Sequence, residues 1–390
     1  MEIVVRRGEA PLKTIFTLFY FFTFFGFGSL FPLLSVYLKS EVGLSGTQIG
    51  TIMSISPIIM IFIQPLWGMI SDYTRKPVPV LATALVGTAL AGLLYASVQQ
   101  YVWIIIAAAL LSFMQSAVVP LSDSITLNYV QKTEGNYGSI RLWGAIGFAV
   151  SVLVGGWLSE TFSLGIIFYV FAFILLLSAI LAWKLPRESQ PMRVEIKRGI
   201  KQLFQIPAFV LFLAVTFLVF GPIYANNFYF GVFVKEIGGT LTGVGLAFLL
   251  AAGSEAPFMK VVDRLLRRYG MLPILAFAAT ISALRWLFYY FEPSLGLVYA
   301  TTIAQGFSVG LFIPAALQYV RDISPSGVRV TAVSLYSAVG NGVGSWFCTF
   351  VGGYILERSH IGAVYLFFSV LTFIGLAILG VLMMTHRKKT

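Results

Sequence analysis

The stretch QPLWGMISDYTRKPVP, residues 64–79, leaves one apolar run, gathers Asp72, Arg75 and Lys76 within five residues, and enters another apolar run. The flanking runs, residues 46–70 and 77–98, each reach the roughly 20 residues needed to cross a hydrocarbon core. The segment between them has room only for a tight charged turn at a membrane face. The stretch therefore reads as the joint between two membrane-spanning helices, and the rest of the chain follows the same plan.

Of the 390 residues, 58 % are hydrophobic and 11 % charged, with a mean hydropathy of +0.89. A soluble domain carries about 25 % charge. The runs are too long and too uniformly apolar for barrel strands, which alternate. An all-α membrane protein of twelve transmembrane helices is expected, with spans at 14–38, 46–70, 77–98, 101–126, 138–160, 163–184, 206–233, 242–262, 271–291, 295–319, 328–356 and 361–385. MEIVVRRGEAPLK leads straight into a first span too long for a signal-peptide core, so no cleaved leader is expected. The single cysteine, Cys348, excludes an internal disulfide and a cysteine metal cluster.

The net charge of +11 is a topology signal. With an even number of spans, one side's tails and loops carry 21 of the 26 Lys and Arg residues, while the other side has Lys39, Lys235 and Arg358. That asymmetry places both termini in the cytoplasm and removes any need for nucleic acid as a partner.

The longest polar stretch, residues 184–205, divides the spans six and six, giving bundles over 1–183 and 206–390 joined by a cytoplasmic loop. EAPFMKVVDRLLRRYGMLP, residues 255–273, repeats the character of the opening stretch, and aligning Asp72 with Asp263 gives an offset of 191. NYV at 128–130 and QYV at 318–320 independently give 190. A duplicated six-span unit is the architecture of transporters that alternate access around a central site.

At Gly68, Asp72, Arg75 and Lys76 the pattern G-x-x-x-D-x-x-R-K resembles the signature loop of the major facilitator superfamily, with Tyr73 where an arginine is common. GFGSLFPLLSVYLKSEVGLSGTQIG, QPLWGMISD and YGSIRLWGAIGF narrow the resemblance to the branch holding lactose permease, the phenylpropionate permease and nucleoside–proton symporters. It extends over essentially the whole chain and implies the major facilitator fold. Asp72, Arg75 and Lys76, with Asp263 and Arg267 in the repeat, are the candidate gating residues. A carboxylate there could also accept from free N–H groups at the start of the next helix. The alternative is an anchoring loop obeying the charge rule.

Four ionisable groups lie inside spans: Asp123, Arg141, Glu255 and Arg285. Each costs about 2.5–3.5 kcal/mol at a span's centre, so a function or a partner must offset it. Asp123 and Arg141 sit on successive helices and can face each other; Glu255 and Arg285 form the corresponding pair in the second half. The resemblance implies that all four, with the span-5 aromatic Phe148, line the substrate site. It does not transfer proton coupling through span 10, because TTIAQGFSVGLF offers only Gln305 and Ser308, neither of which titrates. Glu255 is then the first candidate for proton coupling and Asp123 the second.

Arg141 could instead snorkel to the headgroups and serve orientation alone. Arg285 could be a structural partner of Glu255, and Phe148 is one of 35 phenylalanines. In span 7, GPIYANNFYF puts Gly221 and Pro222 before Tyr224, Asn226 and Asn227. Gly and Pro could open the helix there, leaving both asparagines to bind a hydroxylated solute or to join helices. GNGVGSW in span 11 has glycines spaced for close helix packing.

The expectation is a secondary active transporter in the cell membrane, a monomer importing a small polar solute with a proton. Sugars or oligosaccharides, nucleosides and aromatic acids are the candidate substrates, and export of amphipathic drugs is the alternative. No cofactor or metal is expected. With no P-loop, and histidines only at positions 360 and 386, neither ATP-driven transport nor an enzyme is expected.

Overall fold

The computed structural model describes residues 2–133, 135–186, 201–325 and 328–387. Most of the expected central loop, 187–200, lies outside the described residues.

Apolar sequence in lipid forces every backbone group to pair within its own segment, so each run becomes a helix. Seven helices precede the central loop: α1 Glu2–Ser40, α2 Gly46–Thr74, α3 Pro77–Ser97, α4 Tyr101–Gln115, α5 Val118–Thr133, α6 Tyr137–Thr161 and α7 Ile166–Ala182. Seven follow it: α8 Pro207–Glu236, α9 Leu241–Tyr269, α10 Met271–Tyr290, α11 Leu295–Ile323, α12 Arg329–Ser337, α13 Ser345–Arg358 and α14 Ile361–Arg387. A π-helical turn, Ala338–Gly344, joins α12 to α13. Taking α4–α5 as one span and α12–α13 as another gives twelve. Among the described residues nine spans are long and apolar enough to cross a membrane on hydropathy alone.

Two spans depart from single helices. Span 4 breaks at Ser116–Ala117 and resumes as α5. Pro120 explains the break: it has no N–H to give to the preceding turn and its ring crowds the carbonyl of residue 116. The restart extends span 4 to Thr133, beyond the expected 126, and carries Asp123. Span 11 widens into a π turn where Gly340, Gly342 and Gly344 fall.

Span 7 corrects an expectation. Gly221 and Pro222 do not open it; α8 runs from Pro207 to Glu236 with Pro222 inside. Gly221 serves close approach instead, since a Cβ there would lie 2.8 Å from the carbonyl oxygen of Gly344 and 2.8 Å from Cys348 Sγ.

The chain forms two compact units. The first holds residues 1–44, 58–192 and 240–245; the second holds 45–57, 193–239 and 246–390. In the first, Tyr37, Tyr95 and Phe168 of α1, α3 and α7 make a buried aromatic centre, with Tyr95 stacked on Phe168 at 5.3 Å. In the second, Phe233, Trp286, Tyr289, Tyr365 and Phe368 of α8, α10 and α14 do the same. The duplication read in sequence thus recurs as a packing scheme, with spans 1, 3 and 6 answered by spans 7, 9 and 12.

Candidate functional site

In the first unit, α1 and α6 cross closely. A Cβ on Gly28 would lie 2.5 Å from the carbonyl oxygen of Phe148, and one on Gly147 would strike the carbonyl of Phe21. Small residues admit this approach, and it brings Tyr20 and Phe24, one turn apart on α1, beside Arg141 near the start of α6.

Asp123 is the centre of the resulting cluster. Tyr20 donates its hydroxyl to Asp123 Oδ1 at 2.6 Å. Arg141 Nε stands 3.8 Å from the same oxygen, with the side chains 34 % and 28 % exposed respectively. The Tyr137 hydroxyl lies within reach of both Asp123 and Arg141. The guanidinium carbon lies 4.1 Å from the Phe24 ring centroid and 5.7 Å from that of Tyr20. Arg141 is therefore held over aromatic faces and against a carboxylate. Both side chains are only partly buried, so a solute could reach either. At 3.8 Å and this exposure the ion pair itself contributes little, so the site's order comes from the rings and the short Tyr20 bond.

In the second unit, Arg285 is 6 % exposed. Its Nη1 donates to Gln305 Oε1 at 2.8 Å, and its guanidinium lies 4.4 Å from the Trp286 ring and 5.5 Å from Tyr289. Arg285 Nε makes no hydrogen bond. Glu255, half-buried on α9, lies within electrostatic reach of Arg285. A small pocket beside this group is lined by Asn226, Phe230, Phe248, Thr302 and Gln305, among others.

Of the two charge pairs expected from sequence, Asp123 and Arg141 meet at 3.8 Å, whereas Glu255 and Arg285 interact at longer range and form no ion pair among the described residues. Asn226 is 2 % exposed and accepts from the Tyr365 hydroxyl at 3.0 Å, joining α8 to α14 while edging that pocket. Asn227 is half-buried, and Phe148 is half-buried with its carbonyl on Gly28. Tyr20, Phe24 and Tyr137 had not been singled out, and Gln305 had been noted only for not titrating. Nothing in local sequence marks one tyrosine among 18; only the partner it meets does.

At the charged loops, Asp72, Arg75, Lys76 and Arg267 are exposed, and the side chain of Asp263 lies outside the described residues. Among the described residues Asp72 accepts no hydrogen bond from the start of α3. That helix begins with Pro77, which has no N–H to offer. Arg75 has φ +53, a left-handed conformation that turns the chain between α2 and α3. Among the described residues no group of three or more His, Cys, Asp or Glu side chains could hold a metal.

Residues 14–379 match the family model described as MFS_1 like family. The chain belongs to the major facilitator superfamily. It is 56 % identical to the maltose permease of Geobacillus stearothermophilus over 391 aligned positions, covering 100 % of this chain and 99 % of the permease. The uncharacterized transporter YwbF of Bacillus subtilis is 43 % identical, covering 100 % of this chain and 96 % of that one. The crystal structure of the nucleoside transporter NupG superposes with a TM-score of 0.84 at 19 % identity, over 94 % of this chain and 98 % of that one. That likeness establishes the fold. The protein is a multi-pass membrane transporter of major facilitator type that takes a small-molecule substrate.

Proposed function

We propose that this transporter takes up maltose or a closely related oligosaccharide together with a proton, as a monomer with both termini in the cytoplasm. The observation that carries the reading is the 56 % identity to a maltose permease with no part of the chain left over. The side chains suit such a solute. A pyranose offers C–H faces to rings and hydroxyls to charged groups, and each unit presents an arginine, a carboxylate and aromatic faces together. Asp123 and Glu255 accept from hydroxyls; Arg141 and Arg285 donate to them. Phe148, Asn226 and Asn227 complete the proposed contacts.

Glu255 is proposed as the proton-coupling group, with Asp123 second, since a neutral sugar brings no charge of its own to drive uptake. The two six-span halves, 1–183 and 206–390, would alternate access to the site. Asp72, Arg75, Lys76, Asp263 and Arg267 are proposed to gate that change.

Purified protein in liposomes on a solid support provides the test. Maltose added without an imposed gradient should give a sustained current of positive charge into the vesicles, whereas nucleosides, aryl acids and cationic drugs should not. Maltose exchange without current would overturn coupling. Current with a nucleoside or an aryl acid but none with maltose would overturn the sugar reading.

A further inference from the structure

Span 11 contains one polar side chain at its π turn, Asn341 in Ala338–Gly344, and that residue is exposed in the middle of a membrane span. A π turn inserts an extra residue into a helix and redirects the side chains around it, and such turns gather at functional sites. This one is held from outside. Gly340 lies against Thr216 and Phe220 of α8, and Gly344 against Phe217 and Gly221. A Cβ at either glycine would stand 3.0 Å from α8, so side chains there would press α8 away.

Tyr224 lies within reach of Asn341 and within electrostatic reach of Glu255. Tyr224 stacks on Phe220 at 5.6 Å, and Phe220 meets Tyr336 edge-on at 5.7 Å. The Tyr336 hydroxyl is a second, independent sign. The residue is 7 % exposed, its hydroxyl makes no hydrogen bond, and it lies within electrostatic reach of Tyr224. A buried hydroxyl without a partner is costly and rare. Here it shares the Phe220 ring with the Tyr224 phenol, within the second unit.

We infer that Asn341 and Tyr224, beside Glu255 and with the unpartnered Tyr336 hydroxyl, form a hydroxyl-reading subsite that decides which sugar is accepted. The inference rests on the sugar reading above and adds its selectivity element. An amide and a phenol each donate and accept, so they can match a hydroxyl in either sense. A site built to hydrogen-bond a hydroxyl rejects the analogue lacking it, because its own groups are then left unpaired.

The test is equilibrium exchange in proteoliposomes, comparing maltose with its monodeoxy analogues in wild type, Asn341→Ala and Tyr224→Phe. Tyr224→Phe removes one oxygen from a ring that otherwise keeps its stacking. Each substitution is expected to raise the half-saturating maltose concentration about tenfold. For one or two deoxy analogues, already weak on wild type, it should cost at most about twofold more. Equal loss across maltose and every analogue would mean that the pair only supports the fold, and so would overturn the inference. Wild type that exchanges no maltose would sink the sugar reading and this subsite with it. Wild-type exchange with uniform losses in the variants would sink the subsite alone.

Discussion

The carboxylate of Glu357 accepts the backbone N–H of Thr47 at 2.8 Å and the hydroxyl of Ser45 at 2.9 Å, capping the first turn of α2 across 310 residues of chain. Glu160 does the same for the first turn of α9, accepting from the N–H of Thr242 at 3.2 Å and its hydroxyl at 2.5 Å. Each cap lies within one compact unit, beside a close helix approach. A Cβ on Gly50 would lie 2.8 Å from Gly353 Cα, and one on Gly156 would strike the Leu241 carbonyl. The exposed N–H groups of a helix start attract an anion, and here a distant glutamate supplies it.

Glu357 stands beyond the last apolar residue of its span, Leu356. The bonds from Thr47 and Ser45, aided by Arg358, hold its carboxyl below the ordinary 4.5. Because the capped value is the depressed one, the cap's stabilisation is present above the ordinary pKa and is lost as pH falls through the lower value. Amide hydrogen exchange at Thr47, corrected for intrinsic rate, should be slow at pH 7 and speed up as pH falls below the ordinary glutamate value. In Glu357→Gln the same amide should exchange with little pH dependence. Equal protection in both proteins at pH 7 would mean the carboxylate does not hold this turn.

Arg141 holds its guanidinium carbon 4.1 Å over the Phe24 ring with its Nε toward Asp123, a position that uses both the face and the edge of the guanidinium. Lysine is a point charge and cannot reproduce it. Arg141→Lys should raise half-saturation for maltose exchange at least tenfold, roughly the loss of one charge-assisted hydrogen bond. Unchanged affinity would reduce Arg141 to a residue that orients its helix.

Glu255 acts electrostatically on Arg285, whose one hydrogen-bonded partner among the described residues is the neutral Gln305. If Glu255 carries the coupled proton, Glu255→Gln should abolish accumulation of maltose against its gradient while leaving exchange within about threefold of wild type. Counterflow and active uptake in the same vesicles separate the two. Loss of both would leave Glu255 a sugar ligand only and remove it as the coupling group.

Gly221 packs against the π turn with no room for a methyl group. Its two nearest obstacles are Cys348 Sγ and a backbone carbonyl, and the carbonyl cannot swing aside. Gly221→Ala should lower stability by about 1–3 kcal/mol, the usual cost of overpacking, seen as a lower melting temperature in detergent. An unchanged melting temperature would mean that α8 and the π turn can part freely.

The residues differ in how far sequence alone carried them. Residues 64–79 and their repeat at 255–273 announced a duplicated membrane fold, because insertion into lipid depends on local apolar length and flanking charge. Asp123 with Arg141 was legible because the residues lie on neighbouring spans and each is costly alone. Tyr20, 103 positions from Asp123, left no local trace, and neither did Gln305 as the partner of Arg285. Gly221 and Pro222 misled, since the motif that can open a helix here lets one helix press against another.

Sequence by itself determined the spans, their duplication, the charges that needed answering and the superfamily. These follow from the transfer of short segments between water and lipid, which neighbours in sequence settle. Only the tertiary structure decided that Glu357 caps α2, that span 11 bulges at Asn341, and that Arg285 leans on Gln305. In lipid a polar group takes whatever partner the packed helix face opposite presents, and that face can come from anywhere in the chain.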